Sequence, residues 1–176
     1  MKILYLLGSL HHGGAETLIL DIFQNADKFG FDFHCLHRIH GGIFQSEFYK
    51  SSAKMQYLPC KPHQILSYLK ELRKYLKISS PEIIHAHQPI DALYALIASF
   101  RLGIPVVQTL HSYDFETRGI AKFALLVSLR FAKLNIFVSN YQKNYYTKKY
   151  LVRDNSDLVL YNSISLEKFR PDDIIR

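Results

Sequence analysis

The sequence predicts an α/β fold in which a doubly wound, mainly parallel sheet carries helices on both faces. Short and almost continuously apolar runs recur along the chain, as expected of strands that are buried on both faces. Segments with apolar residues at helical spacing separate most of these runs, and repeated β–α units form a parallel sheet through right-handed crossovers. The 176 residues suffice for one domain of ordinary size.

The individual elements follow from these two patterns. Seven strands are predicted, in chain order Ile3–Leu7, Phe31–Leu36, Met55–Leu58, Glu82–Ala86, Val106–Leu110, Asn135–Val138 and Leu158–Tyr161. Five helices are predicted between them, Ala15–Lys28, Ile65–Ile78, Ala92–Leu102, Ile120–Lys133 and Tyr141–Lys149. In the first helix, the apolar side chains at positions 15, 18, 19, 22 and 23 form one stripe, which a helix packed on a sheet requires. Gly103 and Pro105 mark the end of the third helix and the start of the fifth strand.

Composition excludes several classes of protein. No stretch approaches the roughly 20 apolar residues of a membrane-spanning helix. The N-terminal apolar run meets Gly8 without a small-residue cleavage site, which predicts a strand rather than a signal peptide. Cys35 and Cys60 lack the spacing of a metal site or a disulfide framework, which favours a reducing cytoplasmic setting. The net charge of +7 favours anionic partners without choosing among nucleotides, lipid headgroups and nucleic acid.

A glycine-rich loop, residues 8–14, follows the first predicted strand and leads into a helix. Glycine lets a ligand approach the backbone closely, and the N-terminus of a helix favours an anion. Gly8 and Gly13 have the spacing of a P-loop, but Gly14 and Ala15 stand where that motif requires Lys and Ser or Thr. The loop is therefore a candidate phosphate site without a triphosphatase motif, and a turn without a ligand is the alternative.

Two histidines, His85 and His87, lie at the end of the fourth predicted strand. Residues two apart on a strand project to the same side, so the pair could share a metal ion. Only Asp91 lies nearby to complete such a site. The alternative interpretation makes His85 a packing residue and His87 a loop residue beside a ligand.

Polar residues also follow the fifth and sixth predicted strands. His111 ends an apolar strand, where a residue that only packs would be aliphatic, and it can bind a hydroxyl group or titrate near neutrality. Asp114 lies on the same loop. Ser139 or Asn140 either contributes to the same rim or caps the helix that begins near Tyr141.

Two basic segments can each be interpreted in more than one way. Residues 141–150 mix tyrosine with lysine, which suits base stacking or a membrane surface, but also a helix with half-buried tyrosines and solvated lysines. Lys70, Lys74 and Lys77 share one side of the second predicted helix. They form either a solvated face or a peripheral membrane contact.

Taken together, these segments resemble the retaining glycosyltransferases of family 4, whose GT-B architecture has two facing Rossmann-like domains. Five segments carry the resemblance in the family's order: residues 13–16 (Gly-Gly-Ala-Glu), 83–87 (Ile-Ile-His-Ala-His), 105–111 (Pro-Val-Val-Gln-Thr-Leu-His), 138–139 (Val-Ser) and 159–171. The resemblance implies that Gly13 and Gly14 approach the diphosphate of a nucleotide-sugar donor. It implies that His111 lies beside the transferred sugar as the catalytic residue. It also implies that His87 and Ser139 line the acceptor side and that the reaction needs no metal.

The resemblance also implies how the protein is divided. Residues 1–165 are expected to form a Rossmann-like acceptor-binding domain, and residues 166–176 to begin a linker to a missing C-terminal donor-binding domain. The family's donor domain carries two glutamates eight positions apart, and no two glutamates of this chain have that spacing. Ser163 and Ser165 stand where the family usually has glycine and aspartate.

The resulting expectation is the N-terminal half of a hexosyltransferase-type enzyme that is inactive by itself. Its partners are expected to be a nucleotide sugar, a glycan or lipid-linked acceptor and the C-terminal domain, with no nucleic acid. It is expected in the cytoplasm, with peripheral contact at the inner face of the membrane. The alternative is a stand-alone Rossmann-like module or subunit that binds a glycan or nucleotide without catalysis.

Overall fold

The computed structural model describes residues 1–11, 13–28, 30–114, 118–150 and 157–163. These residues form one sheet of seven parallel strands, β1 (Lys2–Leu7), β2 (Asp32–His37), β3 (Lys54–Tyr57), β4 (Ile83–Ala86), β5 (Val106–Leu110), β6 (Leu134–Phe137) and β7 (Asp157–Val159). The strand order is β3-β2-β1-β4-β5-β6-β7 and every pairing is parallel. The predicted Rossmann-like fold class is confirmed.

Helices connect the strands. They are α1 (Gly14–Gln24), α2 (Gln45–Lys50), α3 (Ile65–Ser79), α4 (Pro89–Ser99), α5 (Gly119–Phe131) and α6 (Asn140–Tyr150), with short 3-10 turns at Ala26–Lys28 and Pro62–Gln64. Five of these six described helices correspond to the predicted ones, and α2 is additional. The domain boundary expected after residue 165, and the linker expected at 166–176, lie outside the described residues.

Alternating side chains of β1 show why the sheet is covered on both faces. Leu4 and Leu6 pack with α3 and α4 in one buried cluster, whereas Tyr5 and Leu7 pack with α1 and α2 in another. Successive strand residues point to opposite faces, so both sides of β1 must be apolar. A third cluster joins β5 and β6 to α5 and α6.

The strand order reverses between β1 and β4. The chain leaves β1 toward β2 on one side of the sheet and leaves β4 toward β5 on the other. In an open parallel sheet, the loops at the carboxyl ends of strands separate at such a switch point and leave a crevice for a ligand. The loops that follow β1, β4 and β5 are therefore the ones to search for a site.

Candidate functional site

A pocket of about 470 Å³ opens at this switch point. Most of its lining comes from the loops after β1, β4 and β5 and from the first turn of α1, and helices α5 and α6 contribute further residues. The lining includes Gly8, Gly14, Glu16, His87, Gln88, His111 and Asp114. The sequence analysis placed its candidates on these same loops. The pocket brings Gly14, His87 and His111 together, whereas neither Gly13 nor Ser139 lines it.

The loop after β1 is held in place by the loop after β2. Ile39 donates its backbone N–H to the carbonyl oxygen of Gly8, and Phe44 donates to that of Leu10. Gly42 makes this approach feasible, because its φ of +121° favours glycine and a Cβ atom there would lie 2.2 Å from the Leu10 oxygen. The glycine-rich loop is thus positioned from a segment about 30 residues away in the chain.

Gly13 and Gly14 begin α1 at the edge of the pocket. The Gly13 carbonyl accepts hydrogen bonds from the backbone N–H and the hydroxyl of Thr17, each at 2.9 Å. The N–H groups of the first helical turn keep no partner within the helix, which favours an anion at this end of α1. The Glu16 carboxylate lies beside Gly13, so an anion bound here would approach from the side of Gly14, away from that negative charge.

His87 and His111 form a hydrogen-bonded pair in the pocket. Each follows the last residue of its strand by one position, and β4 and β5 are neighbours, so the two rings meet. Nδ1 of His87 lies 2.9 Å from Nε2 of His111. The outer nitrogens, Nε2 of His87 and Nδ1 of His111, are buried without a hydrogen-bond partner among the described residues. Such orphaned atoms are costly unless a ligand or water satisfies them.

Burial keeps the histidines of this site neutral at pH 7. It lowers the pKa of His111, and it lowers the pKa of His87 well below its ordinary value, with His85 and His111 adding to that effect. His85 lies behind the pair, where burial and the nearby His111 lower its pKa to about 4. Its Nε2 contacts the Thr109 hydroxyl at 2.9 Å, so the interpretation of His85 as a packing residue is confirmed. Within the described ranges, no three His, Cys, Asp or Glu side chains are grouped to hold a metal ion.

Neutrality couples the tautomers of the His87–His111 pair. Each neutral ring carries one N–H, and one ring donates to the other. The donating ring then presents its outer nitrogen as an acceptor, and the accepting ring presents its outer nitrogen as an N–H donor. In either arrangement the pair keeps one N–H donor and one acceptor nitrogen, both buried and without a partner among the described residues.

We expect the free energy of unfolding to fall as the pH is lowered from 7 to 5. In the unfolded chain these histidines bind protons at the ordinary histidine pKa of about 6.5, whereas their lowered pKa values in the folded chain disfavour protonation. Each histidine can therefore lower the free energy of unfolding by up to about 1.4 kcal/mol per pH unit. Urea titrations at the two pH values measure the slope. His85→Gln, which keeps an amide for Thr109, should reduce the slope, and the exposed His63→Gln controls for the loss of one histidine. An unfolding free energy that is flat over this range would mean that the folded site binds the protons after all.

Ser139 caps α6. Its hydroxyl oxygen accepts the backbone N–H of Gln142 at 3.1 Å, and its carbonyl oxygen accepts the N–H of Lys143. The N-cap interpretation is therefore confirmed for Ser139, while the Asn140 amide donates to the Tyr161 hydroxyl.

Asp114 has more hydrogen-bond partners than its position on the His111 loop indicates. This buried carboxylate accepts hydrogen bonds from the Tyr145 hydroxyl at 2.7 Å and from Lys149 Nζ at 3.1 Å, and it is also bonded by Lys122 and Tyr150. Burial alone would raise its pKa, but these four donors hold the pKa far below the ordinary value. Lys149 is exposed, as the interpretation of solvated lysines expects, and its Nζ also binds Asp114, so that with its neighbouring tyrosines it ties the His111 loop to α6.

A second charged pair lies on the opposite side of the glycine-rich loop. Arg38, which follows β2, donates its Nε to Asp91 Oδ1 at 2.5 Å, and Asp91 is fully buried in the first turn of α4. The Arg38 guanidinium also approaches Gly8, where a Cβ atom would lie 3.2 Å from one of its nitrogens. Burial raises the pKa of the Asp91 carboxyl even though Arg38 opposes that rise. The sequence analysis had noted Asp91 only as a neighbour of the histidines.

Comparisons with known proteins agree with this architecture. EpsF of Bacillus subtilis (strain 168), which is named as a glycosyltransferase, is 24% identical over 116 residues, covering 64% of this chain and 30% of EpsF. The crystal structure of Anabaena Alr3699/HepE with UDP-glucose has a TM-score of 0.78 at 21% identity, covering 95% of this chain and 45% of that one. The lipopolysaccharide outer core galactosyltransferase WaaB has a TM-score of 0.71 at 19% identity, covering 94% of this chain and 47% of that one.

At these identities the structural likeness shows the fold, and the chain spans less than half the length of these relatives. The family assignment comes from a different comparison. The family model described as Glycosyltransferase Family 4 matches residues 12–168, most of the chain. The chain belongs to glycosyltransferase family 4.

Proposed function

We propose that this chain is the acceptor-side half of a retaining glycosyltransferase of the hexosyltransferase type. It would move a sugar from a nucleotide-sugar donor to a glycan or a lipid-linked saccharide. The observation that carries the proposal is the His87–His111 pair, which lines the pocket at the switch point and keeps two buried nitrogens without a partner among the described residues. A donor and an acceptor fixed side by side match the hydrogen-bonding capacity of sugar hydroxyls.

Each candidate residue has a role in this proposal. His111 contacts a hydroxyl of the transferred sugar as the catalytic residue, while Gly13 and Gly14 present the start of α1 to the diphosphate. His87 faces the acceptor and fixes the tautomer of His111, and Ser139 lies farther along the acceptor rim. Membership in the family supports sugar transfer. The UDP-glucose bound to Alr3699/HepE supports a nucleotide sugar as the donor class, and the name of WaaB supports a saccharide acceptor.

We expect the 176-residue chain to show no sugar transfer by itself. The chain spans less than half the length of the relatives it matches, and transfer requires groups that fix the donor and exclude water. The measurement is release of nucleoside diphosphate from a panel of UDP- and GDP-sugars in the presence of saccharide acceptors. A polypeptide that joins this chain to a donor-binding domain serves as the positive comparison.

The outcomes separate the half-enzyme from its alternative. Turnover only in the joined polypeptide supports the proposal. Robust transfer by the 176 residues alone contradicts the need for a second half. Saccharide binding without transfer in either form assigns the chain to the class of non-catalytic binding modules.

A further inference from the structure

Helices α4 and α5 expose an apolar surface on the outside of the domain. Six of its large apolar side chains are between 44% and 68% exposed: Ile97, Phe100, Ile120, Phe123, Leu126 and Phe131. We call these residues the α4–α5 surface. Scattered exposed apolar residues are ordinary, but a contiguous group marks an interaction site.

The side chains of this surface are contiguous. On α5, Ile120, Phe123, Val127 and Phe131 fall at i, i+3, i+7 and i+11, so they form one stripe along the helix. Val127 and Phe131 also line a groove of about 720 Å³ whose other wall includes Ile97 and Phe100. The stripe and the groove therefore form one apolar face.

Basic side chains border this apolar face. Arg101 and Lys133 line the groove, and no acidic residue lines it among the described residues. Residues 118–133 contain four basic side chains and no acidic one. Of these, Arg118 and Arg130 are exposed, whereas Lys122 is bonded to Asp114. An apolar face with a basic border matches an anionic lipid surface, where the apolar side chains enter the acyl boundary and the cations bind headgroups.

We propose that the α4–α5 surface docks this protein onto an anionic membrane. The opposite side of α5 contributes Ala121 and Leu125 to the candidate site, so docking would place that pocket beside the bilayer. That placement suits the lipid-linked class of acceptor, and this one step rests on the proposed function. The docking itself rests on the apolar and basic groups alone.

The α3 lysines are the weaker membrane surface. Lys70, Lys74 and Lys77 are exposed, as the sequence predicts. Their exposed apolar companions, Leu66 and Ile78, stand at opposite ends of the helix and form no continuous face. Exposed charges alone are solvated and screened within about 10 Å at 0.1 M salt.

The test is co-sedimentation of the 176-residue chain with vesicles of phosphatidylcholine, with and without phosphatidylglycerol. We expect binding to the anionic vesicles that weakens as salt is raised. F123S/F131S should lower the partition coefficient by about tenfold, because two aromatic anchors are lost from the acyl boundary. L66S/I78S removes a comparably exposed apolar pair from α3 and should leave the partition coefficient unchanged. R130Q/K133Q should weaken binding more than K70Q/K74Q, which removes the same charge.

Three results would overturn the proposal. The first is equal binding to neutral and anionic vesicles. The second is a loss of binding in the α3 variants that matches or exceeds the loss in the α5 variants. The third is a dimer, detected by light scattering, that F123S/F131S dissociates without changing vesicle binding. That result would assign the surface to contact with a second copy of the chain. None of these results bears on sugar transfer, which the joined polypeptide tests separately.

Discussion

Asp91→Ala is expected to lower the free energy of unfolding by about 3–5 kcal/mol, the cost of leaving a buried charge without its partner. Asp91 is fully buried and pairs with Arg38, whose side chain is 13% exposed. The substitution removes the carboxylate but leaves the guanidinium between the glycine-rich loop and Tyr94, whose ring centre lies 5.7 Å away. Urea denaturation at pH 7, with both the midpoint and the m-value determined, measures the loss.

A double variant separates charge from packing. Arg38→Met combined with Asp91→Leu removes both charges and keeps apolar volume, so it should recover most of the stability lost in Asp91→Ala. Asp27→Ala, which removes an exposed carboxylate bonded to Ser52, is the matched control and should change stability by no more than about 0.5 kcal/mol. If the double variant were as unstable as Asp91→Ala, the unpaired charge would not be the cause.

The Arg38–Asp91 pair could not be predicted from the sequence. The two residues are 53 positions apart, and one follows β2 while the other begins α4. They meet because β2 and β4 both pair with β1, which brings the carboxyl ends of these two strands close together. The sequence analysis did not predict that strand order, and no local pattern marks Arg38 as buried.

The strands, in contrast, were predicted closely. Every strand begins within one residue of its predicted start, and Val106–Leu110 has its predicted bounds. Strands buried on both faces need a continuous apolar run, so their positions are visible in the sequence. Helix α2 was not predicted, because six residues are too few to show a helical period. Helix α4 begins at Pro89, three residues before its predicted start, and proline at the first helical position could have indicated this.

The candidate site was predicted in part for the same reason. His87 and His111 follow buried strands, so their place at the carboxyl edge could be inferred, and pairing of β4 with β5 brings them together. The Asp114 network could not be inferred. Its donors Tyr145 and Lys149 lie more than 30 residues away and meet Asp114 only through the packing of α6.

His111→Ala is expected to lower kcat/KM by about 10- to 100-fold in a polypeptide that joins this chain to a donor-binding domain. The ring lines the pocket and its Nδ1 has no partner among the described residues, and under the proposed function the loss of a hydrogen bond made in the transition state costs about 1.4 kcal/mol or more. The variant also leaves Nδ1 of His87 without its partner, so the free energy of unfolding should fall by about 1–3 kcal/mol. Turnover must therefore be expressed per folded molecule, with denaturation and steady-state kinetics measured on one preparation.

Two further variants distinguish a catalytic role from a structural one. His63→Ala removes an exposed histidine from the 3-10 turn at Pro62–Gln64 and should change neither stability nor turnover. His87→Ala removes the same hydrogen bond by deleting the other ring, so its loss of stability should resemble that of His111→Ala. In this variant Nε2 of His111 also loses the partner that fixes its tautomer. If His111 touches the sugar directly, its removal should reduce turnover more than the removal of His87 at a matched loss of stability. Normal turnover per folded His111→Ala molecule would place His111 outside the catalytic site and leave it only a structural role in the pair.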